Sequence, residues 1–217
     1  MCIRDSVKAR QRQSFIGNNN APLILGVDPA RTGDRTAICF RRGREIERII
    51  KYDPKEGQSM DEMRLVGILA DLIDKYKPVA VNIDCTNSWG TYDRLRERKY
   101  KGINGIQFGA GAIENDIYAN KRVEMWCSLA KWFEDDVCIP DDDEIATDFM
   151  AVPDYKETSD SKIRLESKDN IKKIMGLSPD LGDAAALTFA VFINPLATRG
   201  EIKKAGGGLT KRRGAKK

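Results

Sequence analysis

The 217-residue chain contains no histidine. That absence removes Ser-His-Asp triads, Cys-His nucleophiles, HEXXH zinc sites and histidine-metal nucleases, so any acid–base or metal chemistry must rest on carboxylates, lysines or thiols. Cysteine is scarce, and the five present (Cys2, Cys39, Cys85, Cys127, Cys138) form no CxxC pair, which argues against a zinc site. Cys39 and Cys85 fall inside apolar runs, as small buried hydrophobes do, and this usage fits a reducing cytosol. No apolar run approaches the roughly 20 residues of a membrane span. The opening MCIRDS lacks the apolar core of a secretion signal, and no GxxxxGK[ST] phosphate loop occurs.

What is present is an ordinary soluble composition, 41% hydrophobic and 32% charged, at a length that suits one domain or two small ones. The net charge of +4 hides a split: residues 1–16 carry +3 and residues 201–217 carry +6, leaving −5 for residues 17–200. A mildly acidic body with basic ends suits a protein that works on a polyanion, although a basic tail is also an ordinary solvated one.

The pattern divides the chain into residues 1–20, a linker or a spurious or truncated start; a folded body, 21–197; and a basic tail, 198–217, expected to be disordered. Leu23–Asp28, Thr36–Arg42 and Glu45–Tyr52 read as three antiparallel strands in a meander. Ser59–Tyr76 has apolar residues at three-to-four spacing, with Ser59 as N-cap and Glu62 completing a capping box. Val79–Asp84 is continuously apolar, as a central strand parallel to the first would be. Tyr92–Arg98 predicts a short helix and Ile103–Phe108 a fifth strand. Asn120–Glu134 predicts a helix with Val123, Trp126, Cys127, Ala130 and Phe133 on one face. A short strand at Val137–Ile139, a helix at Asp141–Met150, a hairpin of Tyr155–Glu157 with Lys162–Glu166, and helices at Asp169–Met175 and Asp180–Ile193 complete the body.

Two of these strands end in aspartate. Parallel neighbours lie about 4.8 Å apart, so Asp28 and Asp84 are expected side by side at one sheet edge. Carboxylates that close repel unless one is protonated or a cation lies between them. A hard divalent ion with oxygen ligands, Mg²⁺ or Mn²⁺, resolves the conflict. A third acid from the late helix would complete a site for two ions, suited to phosphodiester cleavage without histidine. Asp180 and Asp183 share a helix face near its start; Asp183 opens the apolar part, whereas Asp180 follows Pro179 and could serve as the cap.

The blocks GVDPARTGDRTAI, VAVNIDCTNSWGTYDRL, NKRVEMWCSLAKWF and IRLESKDNIKKIMGLSPDLGDAAALTFA resemble, in this order, the nuclease domain of phage terminase large subunits, from about Leu23 to Ile193. The resemblance implies an α/β, ribonuclease-H-like fold: a mixed sheet of five or more strands, antiparallel meander then parallel strands, flanked by helices. It implies a metal-dependent endonuclease that cuts concatemeric viral DNA, with Asp28, Asp84 and Asp183 as the acidic triad, Asp180 as a neighbouring or alternate metal ligand, and two Mg²⁺ or Mn²⁺ ions. Lys121, Arg122, Glu124 and Lys168 match recurrent polar positions, and the basic ones are expected to position phosphates. Lys211, Arg212 and Arg213 of the tail are expected to add sequence-independent DNA affinity. The implied partners are double-stranded DNA, the portal protein and the small terminase subunit, in the cytoplasm of an infected bacterium and with no membrane. A full large subunit also carries a packaging ATPase, for which this sequence has no motif, so it is expected to cut but not translocate. Three alternatives remain open. One is a related ribonuclease-H-fold resolvase or transposase core. A second is an actin-like ATPase or kinase fragment, suggested by Gly26-Val27-Asp28. The third is a DNA-packaging module without turnover.

Overall fold

The computed structural model describes residues 7–8, 10–11, 20–29, 35–53, 60–152, 156–157, 161–176 and 178–193. Five strands form the central sheet: β1 (Leu23–Asp28), β2 (Thr36–Arg42), β3 (Glu45–Tyr52), β4 (Ala80–Asp84) and β5 (Ile103–Ile106). Their order is β3-β2-β1-β4-β5. The first three are antiparallel neighbours, whereas β4 pairs parallel with β1 and β5 parallel with β4. This is the expected meander followed by parallel strands.

Helices α1 (Glu62–Tyr76) and α2 (Gly90–Glu97) make the two parallel crossovers. The expected Ser59 cap lies outside the described residues. The helix opens at Glu62, where the Asp61 side chain accepts from the Arg64 N–H. It stops at Lys77, which takes a left-handed conformation (φ 50°) ahead of Pro78.

Strand alternation sorts the core into two halves. Leu23, Leu25, Val27, Ile38, Phe40, Val81 and Ile83 face α1, whose Leu65, Val66, Leu69 and Ile73 are buried against them. The intervening residues face the opposite layer, made of α3 (Lys121–Trp132), α4 (Asp143–Ala151) and α6 (Asp180–Leu187). On that side β1 offers Gly26. A methyl group there would lie 2.0 Å from the Ala184 carbonyl oxygen and 3.0 Å from the Thr188 nitrogen. The backbone of α6 therefore rests directly on the backbone of β1, which only glycine permits. From β4, Asn82 donates to the Leu187 carbonyl (2.7 Å). From β2, Arg41 donates to the Thr188 hydroxyl (2.8 Å) and carbonyl (3.0 Å).

Those bonds explain why α6 ends at Leu187 instead of running to Ile193. The Thr188 hydroxyl bonds back to Ala185, and the last turn tightens into i→i−3 bonds from Thr188, Phe189 and Ala190. Other boundaries shift by smaller steps. Helix α3 starts one residue late, with Asn120 as its cap, and ends at Trp132. Its buried residues include Met125 and Leu129, whereas Cys127 and Ala130 are half-buried. At Val137–Ile139 there are isolated bridges to Glu45 and Gln11 in place of a strand, because each neighbour offers it one residue. Helix α4 starts two residues late, capped by Asp142. The hairpin shrinks to β6 (Lys156–Glu157) and β7 (Ile163–Arg164). Helix α5 (Lys168–Met175) is capped by Ser167.

Of residues 1–20, Val7 is fully buried in the core, and the Arg10 carbonyl accepts from the Ile139 N–H. The tail from 198 lies outside the described residues. Among the described residues no helix is long and apolar enough to cross a membrane.

Candidate active site

Asp28 continues the Ile24–Gly26 side of β1, and Asp84 continues the Asn82 side of β4. Val27 pairs with Ile83, so the next residue on each strand is an aspartate facing α6. Three elements thus deliver acids to one point: β1 gives Asp28, β4 gives Asp84, and the first turn of α6 gives Asp180 and Asp183. Asp28, Asp180 and Asp183 are at most 3% exposed.

Lys168, the first residue of α5, fills the space between them. Its ammonium lies 2.8 Å from Asp28 Oδ2, 3.0 Å from Asp180 Oδ1 and 3.3 Å from Asp183 Oδ2. Four carboxylates with Lys168 and Arg122 leave a formal charge of −2 when all are ionised. The charge is unevenly spread. Burial pushes the Asp28 carboxyl well above the usual range, Lys168 opposes this, and Asp183, Asp180 and Asp84 reinforce it. Burial also raises Asp84, against hydrogen bonds from Thr86. At Asp183 burial would raise the pKa, but Arg122, Lys168 and the Trp126 hydrogen bond outweigh it and hold the carboxyl low. For Lys168, burial favours the neutral amine, but Asp28, Asp183 and Asp180 prevail and hold it protonated well past its ordinary value.

Asp28 accepts from Lys168; the other three acids have further donors. Asp84 Oδ1 accepts from the Thr86 N–H (2.9 Å) and hydroxyl (2.5 Å), and the Thr86 hydroxyl oxygen accepts from the Phe108 N–H (3.0 Å). Asp180 Oδ1 accepts from Ser178 Oγ (2.7 Å) and Oδ2 from the Arg35 N–H (3.3 Å). Asp180 is therefore not the helix cap; Pro179 occupies that position and makes no side-chain capping bond. Asp183 Oδ1 accepts from Arg122 Nε (3.0 Å) and Trp126 Nε1 (2.7 Å), while its Oδ2 is buried with no hydrogen-bond donor. Asp148 of α4 accepts from the Leu181 N–H (2.8 Å) and braces the start of α6.

The remaining expected residues divide. Arg122 joins the acids, with Nη1 donating to the Glu166 carbonyl. Lys121 is tied to Glu124 (2.6 Å), and Glu124 also accepts the Ile113 and Glu114 N–H groups, so this pair anchors the loop before α3. Lys211, Arg212 and Arg213 lie outside the described residues. Thr86, Trp126, Ser178 and Arg35 were not expected at the site. The Asp84-x-Thr86 spacing, typical of an aspartate accepting from residue i+2, was the available signal for Thr86.

The donor set fits hard cations. It is all carboxylate oxygen, it holds a cation already in the form of the Lys168 ammonium, and one buried acid oxygen has no donor. Among the described residues, no three acidic, histidine or cysteine side chains are arranged to hold a metal ion as they stand; the ammonium keeps the centre.

This sheet order, with acids at the ends of two adjacent central strands and on a helix packed across them, defines a ribonuclease-H-like fold. The chain is similar to the nuclease domain of the large terminase subunit gp2 of bacterial virus Sf6, at 16% identity and a TM-score of 0.71, covering 89% of this chain and 100% of that one. It is similar to the large terminase nuclease from thermophilic phage G20c (13%, TM-score 0.60, covering 88% and 98%) and to the HK97 bacteriophage large terminase (11%, TM-score 0.62, covering 86% and 42%). Solved structures include a variant of the Sf6 domain with manganese and the G20c nuclease with magnesium and with cobalt. No family model and no curated protein matches this chain.

Proposed function

We propose that this chain is a metal-dependent DNA endonuclease of the viral genome-packaging type, cutting concatemeric double-stranded DNA by phosphodiester hydrolysis with two Mg²⁺ or Mn²⁺ ions. The observation that carries it is the gathering of Asp28, Asp180 and Asp183 around one cation, with Asp84 at the end of the strand beside Asp28, in a fold shared with terminase nucleases. Asp28, Asp84 and Asp183 would hold the ions, with Asp180 as neighbour or alternate. Divalent ions in such a site supply a water that ionises near neutral pH and positive charge at the leaving oxygen. The chain's own part is to hold these oxygens against their repulsion and to bring the phosphate in. Lys168 neutralises the acids while they stand alone. Its side chain is a quarter exposed, so a phosphate entering the site would meet the ammonium. The basic tail, with Lys211, Arg212 and Arg213, adds salt-sensitive affinity. Portal protein and small terminase subunit are the proposed partners, and the infected host's cytoplasm the proposed location.

The test is cleavage of supercoiled plasmid by the purified chain in Mg²⁺, Mn²⁺, Ca²⁺ or EDTA, beside Asp28→Ala and Asp183→Ala. Linearisation that needs metal and is lost in both variants is expected. Unchanged cutting by Asp28→Ala would remove the assignment. DNA binding by the wild type with no cleavage in any metal would favour a packaging module without turnover.

A further inference from the structure

We infer that Trp126 is a positioning residue for the metal site: its indole N–H, held in place by the absence of a side chain at Gly182, fixes Asp183 so that only Oδ2 is presented to a cation. This rests on the assignment of Asp183 as a ligand.

Arg122 and Trp126 stand one turn apart on α3, and both donate to the same oxygen, Asp183 Oδ1, at 3.0 and 2.7 Å. The other oxygen is buried, receives no hydrogen bond, and faces the Lys168 ammonium at 3.3 Å. A carboxylate whose two oxygens are treated this unequally cannot rotate freely between bidentate and monodentate binding. The two donors differ in kind. Arg122 is a buried cation that also serves the Glu166 carbonyl. The indole is a donor only and is never charged, so it adds direction without adding a cation to repel the metal.

The ring's place is set by packing. Trp126 is buried, and a methyl group on Gly182 would lie 2.6 Å from its Cη2 and 2.9 Å from its Cζ2. The glycine beside the acid makes the room that lets the indole edge reach it. Groups that orient a ligand from behind commonly govern metal affinity by about tenfold or more.

The experiment is calorimetric titration of the full chain with MnCl₂, without DNA, for wild type, Trp126→Phe, Gly182→Ala, Asp183→Asn and Trp132→Phe. Trp132 is the control for removing a buried indole donor, since its N–H goes to the Gly43 carbonyl (2.9 Å) in another part of the core. Trp126→Phe is expected to weaken Mn²⁺ binding about tenfold or more, and Gly182→Ala by a similar factor, with Trp132→Phe within about twofold of wild type. Circular dichroism confirms folding, and Gly182→Ala carries the test if Trp126→Phe does not fold. If wild type binds, Asp183→Asn does not, and both Trp126→Phe and Gly182→Ala bind as wild type does, the positioning role is overturned while the ligand assignment stands. If wild type does not bind Mn²⁺, or Asp183→Asn binds equally well, the ligand assignment fails and the inference falls with it.

Discussion

Replacing Lys168 by methionine removes the one ammonium that separates Asp28, Asp180 and Asp183 while keeping most of the side chain's volume. Removing one member of a buried ion pair costs about 3–5 kcal/mol. The Lys168 side chain is 25% exposed, which places the expected loss at the lower end, about 3 kcal/mol in EDTA at pH 8. For a protein of this size that is a fall in Tm of about 6–12 °C. The loss should depend on pH in a particular direction. The folded pKa of Lys168 is raised, so its contribution is complete throughout neutral and acid solution and would disappear only as pH rises through that folded value. The folded pKa of Asp28 is also raised, so its charge costs stability when ionised, and the cost is relieved as pH falls through its folded value. Asp183 has a depressed folded pKa, so it keeps its charge to lower pH than an ordinary carboxylate. The gap between Lys168→Met and wild type should therefore narrow toward pH 5 without closing. Urea denaturation in EDTA at pH 8, 6.5 and 5 measures it. Equal stability at pH 8, or a gap that widens in acid, would refute the view that Lys168 compensates the carboxylates.

Gly26→Ala forces α6 away from β1 and should cost about 3 kcal/mol or more, the upper end for overpacking, with urea denaturation as the measure; a loss under about 1 kcal/mol would mean the packing there is soft. Burial pushes Asp148 up to about 6, against the Leu181 N–H that favours its charge, so its ionisation lowers stability by about 3 kcal/mol as pH rises from 4 to above 6. Asp148→Asn should accordingly be more stable than wild type at pH 7.5 and equal to it at pH 4, a comparison that thermal melts at the two pH values decide. Truncation at residue 198 should make the salt dependence of DNA binding shallower by about 0.9 in log–log slope for each phosphate that the tail had neutralised; an unchanged slope in fluorescence anisotropy would exclude the tail from binding.

The strands were legible because burial wrote them plainly: LILGVD and AVNID are apolar almost throughout, and an acid after such a run has few places to go but a sheet edge. Asp28, Asp84, Asp180 and Asp183 could therefore be named from pattern and resemblance. What supports them could not. Trp126 reads as one more core aromatic, because nothing in its spacing reveals that its N–H points at an acid 57 residues away. Lys168 was expected to meet a phosphate; nothing in the charged sequence of helix α5 reveals that its ammonium sits among the acids. Helix α6 was expected to run to Ile193 because apolar residues continue; its stop depends on Arg41, distant in sequence, taking the Thr188 carbonyl. Long-range polar bonds override local propensity at each of these places.

The close approach of Gly26 to Ala184 and Thr188 has a consequence for how such a centre can drift over time. The spacing between the acid of β1 and those of α6 is set by main chain against main chain, with Asn82 gripping the end of the same helix through another main-chain atom. Apolar side chains elsewhere in the two cores can be exchanged, at a cost in stability, without altering that spacing. A scaffold of this kind can lose nearly all recognisable identity while its carboxylates stay in register, as long as one small residue stays small.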